Sequence, residues 1–437
     1  MDPRSLDWAL YAMPLLAILA LYLRGKRSQH AKSVETFNEN LEAGLFEPVS
    51  LHPTIDPNTC IGCGSCVAAC PEMPSHQVLG MVHRKATLVG PSDCIGHGAC
   101  RAACPVDAIT LVFGSERRGV DIPNIKPNFE TNIPGLFIAG ELGGMGLIRN
   151  AIEQGRQAME SIVGRRNGKG EAVDVVIVGA GPSGIAASLT AQQHGLHYVT
   201  LEQDSLGGTV ASFPRRKLVM TAPADLPLVG RVKFSETTKE ALLEFWQEVE
   251  RKTQLRVNYG ERVVGVDRAG QSFNVKTTRG EYSAPALLLA IGRRGTPRKL
   301  GVPGEERSKV TYRLIDPEQY AGQHVLVVGG GDSALESALT ISAQPGTTVT
   351  LSYRSAAFSR AKKKNREALD AARKAGCIAV YMESAVKAID AEHVELEQAG
   401  KLMRIRNDAV IVNAGGILPT EFLKQIGIEV ETKYGTA

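Results

Sequence analysis

The chain has 437 residues, enough for about three folded units at roughly 150 residues each. Its 50 Lys and Arg face 46 Asp and Glu, so the formal net charge is only +4, and 43% of the residues are hydrophobic. That balance describes an ordinary folded protein and excludes a bulk basic surface for nucleic acid. With aromatics at 5%, stacking platforms for single strands are excluded as well. Eight Cys are too sparse for a disulfide framework in a chain this long, and seven of them fall between Cys60 and Cys104. Such clustering points to metal binding in a reducing compartment.

In chain order, Trp8 to Leu23 is an apolar run that predicts a membrane-anchor helix over residues 1–24. Sixteen helical residues span about 24 Å, short of a roughly 30 Å hydrocarbon core, with Trp8, Tyr11 and Tyr22 placed to bridge the difference. Arg24, Lys26, Arg27 and Lys32 follow the run and only Arg4 precedes it, which predicts that the bulk of the protein is cytoplasmic. Residues 25–54 read as a mostly polar helix marked by Val34, Phe37, Leu41 and Leu45, a stalk.

Cys60, Cys63, Cys66 and Cys70-Pro71 have the spacing C-x2-C-x2-C-x3-C-P. Three thiolates on a tight turn carrying Gly62 and Gly64 converge on one cluster, while the fourth, at the start of a short helix, points away. A second run, Cys94, His97, Cys100 and Cys104-Pro105, repeats the pattern with His in place of one Cys. Both resemble the two-cluster bacterial ferredoxin module, here over residues 55–114. The resemblance implies a crosswise ligand set: Cys60, Cys63, Cys66 and Cys104 on one [4Fe–4S] cluster, and Cys70, Cys94 and Cys100 on the other. His97 stands where the eighth thiolate belongs. Either its imidazole ligates iron, which raises the potential as in Rieske centres, or it hydrogen-bonds a sulfide beside a [3Fe–4S] or solvent-ligated cluster.

Val173–Val178 reads as a buried strand, followed by Gly179, Gly181 and Gly184 in G-x-G-x-x-G spacing at the start of a helix. Those glycines allow a tight turn and let a pyrophosphate reach the helix N-terminus. Glu202 ends the next strand, where an acid takes ribose hydroxyls, and Gly207-Gly208-Thr209 follows. A second strand and loop, "VLVVGGGDSALESA" from Val325, places Gly329, Gly331 and Ala334 in G-x-G-x-x-A spacing, with Asp332 and Ser333 in the loop. Its next strand ends at Arg354 instead of an acid. A cation there suits a 2′-phosphate, so NADPH is favoured over NADH, with Arg360 or Lys362 to Lys364 in support.

The tandem fingerprints, "LLLAIGRRGTPRKLGVPG" and "YRLIDPEQYAGQHVLVVGGGDSAL" resemble the pyridine nucleotide-disulfide oxidoreductase superfamily. The closest likeness is to its thioredoxin reductase and thioredoxin-reductase-like ferredoxin–NADP reductase branch, over residues 120–437. That resemblance implies FAD on the first fold and NAD(P)H on the second. Thioredoxin reductases carry a C-x-x-C before the second fingerprint; this stretch has no Cys, and Cys377 has no partner in sequence. The segment that normally closes the flavin fold stands upstream instead, as "ETNIPGLFIAGELGG", with Gly140 and Glu141 at the flavin-binding position. The flavin domain thus reads as circularly permuted, its end joined to its start through the linker 164–171.

The expected fold is α/β: two Rossmann-like domains, a small α+β ferredoxin domain and a transmembrane helix. The expected parts are a closing flavin segment at 119–164, the FAD domain at 171–297, the NAD(P)H domain at 298–407 and a return to the FAD domain at 408–437. The expected function is a membrane-anchored iron–sulfur flavoprotein passing electrons between NAD(P)H, FAD, two clusters and a redox protein or quinone, with a second copy of the chain (a homodimer) among the expected partners. FAD is the needed converter, because nicotinamide moves electrons in pairs and clusters move them singly. No acid–base residue is nominated.

Overall fold

The computed structural model describes all residues except 1–2, 43–47, 49–50, 74–76, 95, 116–118, 145, 166–172, 216, 221–222, 234–235, 294 and 436–437. Leu45 and most of the predicted linker lie outside the described residues. The chain divides into two compact units.

The first unit comprises Met1–Arg118, Ala357–Lys363 and Gly435–Ala437. It opens with one continuous helix, Pro3–Glu42, 40 residues long with Pro14 inside it. Among the described residues no helix is long and apolar enough to cross a membrane. This overturns the expected transmembrane anchor and the cytoplasmic orientation drawn from it. The apolar stretch is too short and gives way within the same helix to Arg24, Lys26 and Arg27. Farther along, the helix buries a polar stripe, Ser33, Thr36 and Asn40, at i, i+3 and i+7. Asn40 Nδ2 donates to the Val89 carbonyl at 2.8 Å, and Thr36 Oγ1 to Gln77 Oε1 at 3.1 Å. The segment read as a stalk is therefore a packed element, held by hydrogen bonds where an apolar stripe would ordinarily sit.

The rest of this unit is a small α+β fold. His52–Ile55 pairs antiparallel with Ile109–Val112, and Leu79–Val82 forms a hairpin with Lys85–Leu88. Two one-turn helices, Ser65–Ala68 and Ala99–Ala102, follow Gly64 and Gly98, whose φ values are 79° and 75°. Cys60, Cys66 and Cys100 sit in the core with Leu79, Ala108 and Ile109.

The second unit comprises Gly119–Ala356 and Lys364–Tyr434. It contains two parallel five-stranded sheets. In the first, the order is Asn258–Tyr259, Tyr198–Glu202, Val175–Val178, Ala286–Leu289, Leu136–Ile138. The last of these precedes the others in sequence yet forms the sheet edge, with Leu136 beside Leu287 and Ile138 beside Leu289 in parallel register. The helix Ile148–Gly164 then packs on Pro182–Gln193, with Ala158, Met159 and Ile162 buried alongside Ala187 and Ala191. The second sheet runs Val310–Thr311, Ala409–Val412, His324–Val328, Thr348–Tyr353, Ile378–Met382. Continuous apolar runs such as "VVIV" and "AVIV" are buried along their whole length, as parallel strands covered on both faces require. Val120–Pro123 pairs with Val430–Lys433, so the start and end of this unit share a ladder.

Candidate functional site

In the first unit the two cysteine runs fold into matching turns. Gly62 and Gly96 both take positive φ, 74° and 78°, as do Gly64 and Gly98. A Cβ on Gly62 would stand 2.1 Å from the Arg84 carbonyl oxygen, so that turn requires glycine. Position by position, His97 occupies the place of Cys63. Cys63 is exposed, and Ser65 hydrogen-bonds its sulfur, drawing its pKa below the ordinary thiol value. Burial pushes Cys66 up to about 11, aided by repulsion from Cys100, Cys60 and Cys63. It pushes Cys94 up to about 11 too, with Cys100, Cys70 and Glu72 as the charged neighbours. Cys94, Cys100 and Cys70 thus share one electrostatic neighbourhood across the two runs, while Cys104 accepts the Ala108 N–H at 3.3 Å. Among the described residues no three His, Cys, Asp or Glu side chains converge on a single metal ion. The donor chemistry, seven clustered thiols on two repeated turns, fits sulfide-bridged iron clusters, which hold their ligands farther apart.

His97 has a neighbour that the sequence did not signal: Glu72, whose Oε1 lies 3.6 Å from His97 Nε2. Burial lowers the His97 pKa, the Glu72 carboxylate opposes that, and Lys362 adds to it. Lys362 belongs to Ala357–Lys363, which folds with this unit; the Lys363 N–H donates to Asp93 Oδ1 at 3.1 Å.

In the second unit the strand Val175–Val178 leads into Gly179, φ 106°, where a Cβ would lie 2.5 Å from the Ala290 carbonyl oxygen. A Cβ on Gly184 would lie 1.8 Å from the Gly179 carbonyl oxygen. The helix Pro182–Gln193 starts beyond Gly181 with Pro at its first position. Glu202 is buried, its Oε2 accepting the Ala180 N–H at 2.7 Å and its Oε1 the Asp204 N–H at 2.9 Å. Burial raises its pKa while those N–H groups oppose the rise. Gly207 donates its N–H to the Ala180 carbonyl at 2.9 Å, bringing the Gly207-Gly208-Thr209 loop against the fingerprint. Gly140, φ 85°, donates its N–H to Gln154 Oε1 at 2.9 Å, and a Cβ on it would touch the Ser183 side chain at 3.0 Å. The Ser183 hydroxyl is buried with no partner. A clear cradle at Gly181 and an orphaned hydroxyl at the helix N-terminus fit a dinucleotide pyrophosphate, which supplies acceptors there.

The second fingerprint is built alike. Gly329 has φ 145°, and a Cβ on it would lie 2.3 Å from the Asn413 carbonyl oxygen; one on Gly330 would overlap the Tyr353 ring at 2.2 Å. Gly331 is open and the helix Asp332–Ser342 begins after it. Asn365 Nδ2 donates to Asp332 Oδ1 at 2.8 Å. Arg354 is exposed at the end of Thr348–Tyr353. Arg360 is exposed too and belongs to the segment Ala357–Lys363 of the first unit.

Both folds contribute walls to a cavity of about 380 Å³, with Glu141, Thr209, Phe213 and Arg293 on one side and Ser333 and Asn413 on the other. Lys217 and Glu336 meet across its rim at 2.7 Å. Arg293 is a second residue that sequence reasoning missed. It donates to the Asp121 carbonyl at 3.1 Å, and burial lowers its pKa against the pull of Glu141 and Asp121.

Two nucleotide folds sharing one cavity define a pyridine-nucleotide flavoprotein. Residues 176–436 match the family model described as pyridine nucleotide-disulphide oxidoreductase, and the chain belongs to that family. It is an FAD- and NAD(P)H-dependent oxidoreductase that also carries a 4Fe-4S dicluster domain, matched over residues 52–105. It is similar to a ferredoxin–NADP reductase of Ignicoccus hospitalis, 33% identical over 41% of this chain and 56% of that relative. The match thus spans little more than half of that protein. The bacilliredoxin reductase Bdr of Bacillus subtilis is 27% identical over 60% of this chain and 82% of its own length. Among solved structures, bacillithiol disulfide reductase Bdr from Staphylococcus aureus aligns with TM-score 0.53 and 26% identity, covering 59% of this chain and 81% of that one.

Proposed function

We infer that the protein passes electrons between NAD(P)H and a one-electron redox protein by way of FAD and two iron–sulfur clusters. The observation that carries this reading is the pairing, on one chain, of a two-fold nucleotide cavity with eight cluster-ligand positions on repeated turns. Bound FAD supplies the conversion between electron pairs and single electrons. The chain's own residues do the rest. Gly179, Gly181 and Gly184 admit the FAD pyrophosphate, Ser183 donates to it, and Glu202, held by two backbone N–H groups, accepts from the adenosine ribose. Glu141 and Thr209 flank the flavin end, and Phe213 and Leu418 give the cavity part of its apolar lining. Gly329, Gly331 and the Asp332–Ser342 N-terminus take the nicotinamide dinucleotide, with Arg354 on the 2′-phosphate of NADPH. Cys60, Cys63, Cys66 and Cys104 hold one cluster; Cys70, Cys94, Cys100 and His97 hold the other.

The flavin fold is circularly permuted in this reading. The parallel pairing of Leu136–Ile138 with Ala286–Leu289 supports it, and so does the packing of Ile148–Gly164 on the fingerprint helix. Of the relatives named above, one is a ferredoxin–NADP reductase and one a bacilliredoxin reductase. The dicluster domain favours single-electron exchange over disulfide reduction. Anaerobic stopped-flow mixing of the flavin- and cluster-loaded protein with NADPH, then NADH, tests the reading. Bleaching of the visible flavin band, faster with NADPH, is expected. An unbleached flavin with either nucleotide would refute it.

A further inference from the structure

The loop that follows the strand Ala286–Leu289 abuts the first fingerprint: the Ala290 carbonyl oxygen is what a Cβ on Gly179 would strike, at 2.5 Å. Three residues beyond Ala290, Arg293 reaches into the cavity shared by the two nucleotide folds. Its guanidinium donates to the Asp121 carbonyl at 3.1 Å and has Glu141 in the same cavity. An arginine stays charged under all working conditions, and a charge in a partly dry cavity acts far more strongly than one in water. The cavity is walled by both folds, and Gly179, Gly181 and Gly184 do not line it. Flavin and nicotinamide must meet between those folds, so Arg293 stands at the reacting end of FAD and away from its pyrophosphate.

We propose that Arg293 is a positioning residue for charge in the flavin cavity, favouring the reduced form of the flavin over the oxidised form. The inference rests on the flavin reading of that cavity. Hydride transfer breaks the nicotinamide C–H bond and forms an N–H bond on the flavin. The electron pair goes with the hydrogen, the nicotinamide becomes cationic, and the flavin gains one negative charge. Arg293 opposes that new charge with its own, while Glu141 acts in the other direction. Nothing in "GRRGTPRK" tells by spacing which cation lines the cavity.

The test is anaerobic redox titration of the flavin in the full, flavin- and cluster-loaded protein, comparing wild type with Arg293→Gln and Arg293→Lys. Arg293→Gln is expected to weaken the preference for the reduced form at least tenfold, a fall of about 30 mV for a two-electron couple. Arg293→Lys, which keeps the charge, is expected to stay within threefold of wild type, and Glu141→Gln to move the potential upward. An unchanged potential in Arg293→Gln with flavin retained would overturn the proposal. So would loss of flavin from Arg293→Gln but not from Arg293→Lys, which would make the positive charge a flavin-binding element. A wild-type protein that takes up no FAD at all would reject the functional reading itself, and this proposal with it.

Discussion

Gly155 lies midway along the helix Ile148–Gly164, where it meets the first turn of the fingerprint helix. A Cβ on Gly155 would stand 2.1 Å from the Ser183 carbonyl oxygen and 2.8 Å from its carbonyl carbon. Ordinary contact begins near 3.4 Å, so Gly155→Ala forces the two helices apart by about 1.3 Å, the difference of those distances. The opposing atoms are backbone and cannot swing away. Overpacking of this kind costs about 1–3 kcal/mol, and the better helix propensity of Ala returns about 1 kcal/mol. The net loss, up to about 2 kcal/mol, lowers the melting temperature by up to roughly 8 °C in a domain of this size. Because Ser183 stands in the first turn of the helix that follows the proposed flavin loop, the displacement should also loosen FAD. Gly164→Ala, exposed on the same helix with nothing within 4 Å of the added carbon, is the control and leaves stability unchanged or slightly raised. Thermal melts of the flavin-loaded proteins, followed by flavin release, read both effects. Equal melting temperatures and equal flavin retention in Gly155→Ala and wild type would refute the close packing of this upstream segment on the flavin fold.

Ser183→Ala removes a hydroxyl that has no partner in the protein, so apo stability should hold while FAD affinity falls by about tenfold in a fluorescence titration. Arg354→Ala should weaken NADPH by roughly 5- to 100-fold and leave NADH unaffected, as measured by equilibrium binding to the oxidised protein. His97→Cys should lower the midpoint potential of one cluster, seen by potentiometric paramagnetic resonance, with the other cluster unmoved. Glu305 is buried, which raises its pKa. The N–H groups of Leu300 and Gly301 and the Tyr312 hydroxyl outweigh that and hold it below the ordinary carboxylate value of 4.5. Its folded pKa being depressed, its contribution to stability is present above pH 4.5 and is lost as pH falls through the folded value. Glu305→Gln should therefore destabilise by about 1–3 kcal/mol at neutral pH, and denaturant melts should find a smaller difference in acid.

Much of the architecture was legible because each signal was local. "VDVVIVGAGPSG" carries a buried strand, a turn and a helix start in twelve consecutive residues, and the cysteine spacing repeats its own turn geometry. The strand Leu136–Ile138, which precedes the rest of its sheet in the chain, announced itself too, since "PGLFIAGE" is a local pattern. What escaped was tertiary. Glu72 approaches His97 from the other cysteine run, and no spacing rule joins them. Arg360 and Lys362 follow the strand that ends in Arg354, but their segment folds with the first unit. The first helix misled twice. Its short apolar run was read as a span with aromatic residues bridging the shortfall, though no described helix is long and apolar enough to cross a membrane, and its buried face is Ser33, Thr36 and Asn40, which a search for apolar periodicity passes over.

The central claim is that the nucleotide cavity and the cysteine turns serve one electron path. Mixing the fully loaded protein with a few equivalents of NADPH without oxygen, while following the flavin absorbance and the paramagnetic signals of the clusters together, tests it most directly. Flavin bleaching followed by the appearance of reduced-cluster signals on the turnover timescale is the predicted result. Clusters that stay oxidised beside a fully reduced flavin, though dithionite reduces them readily, would contradict it.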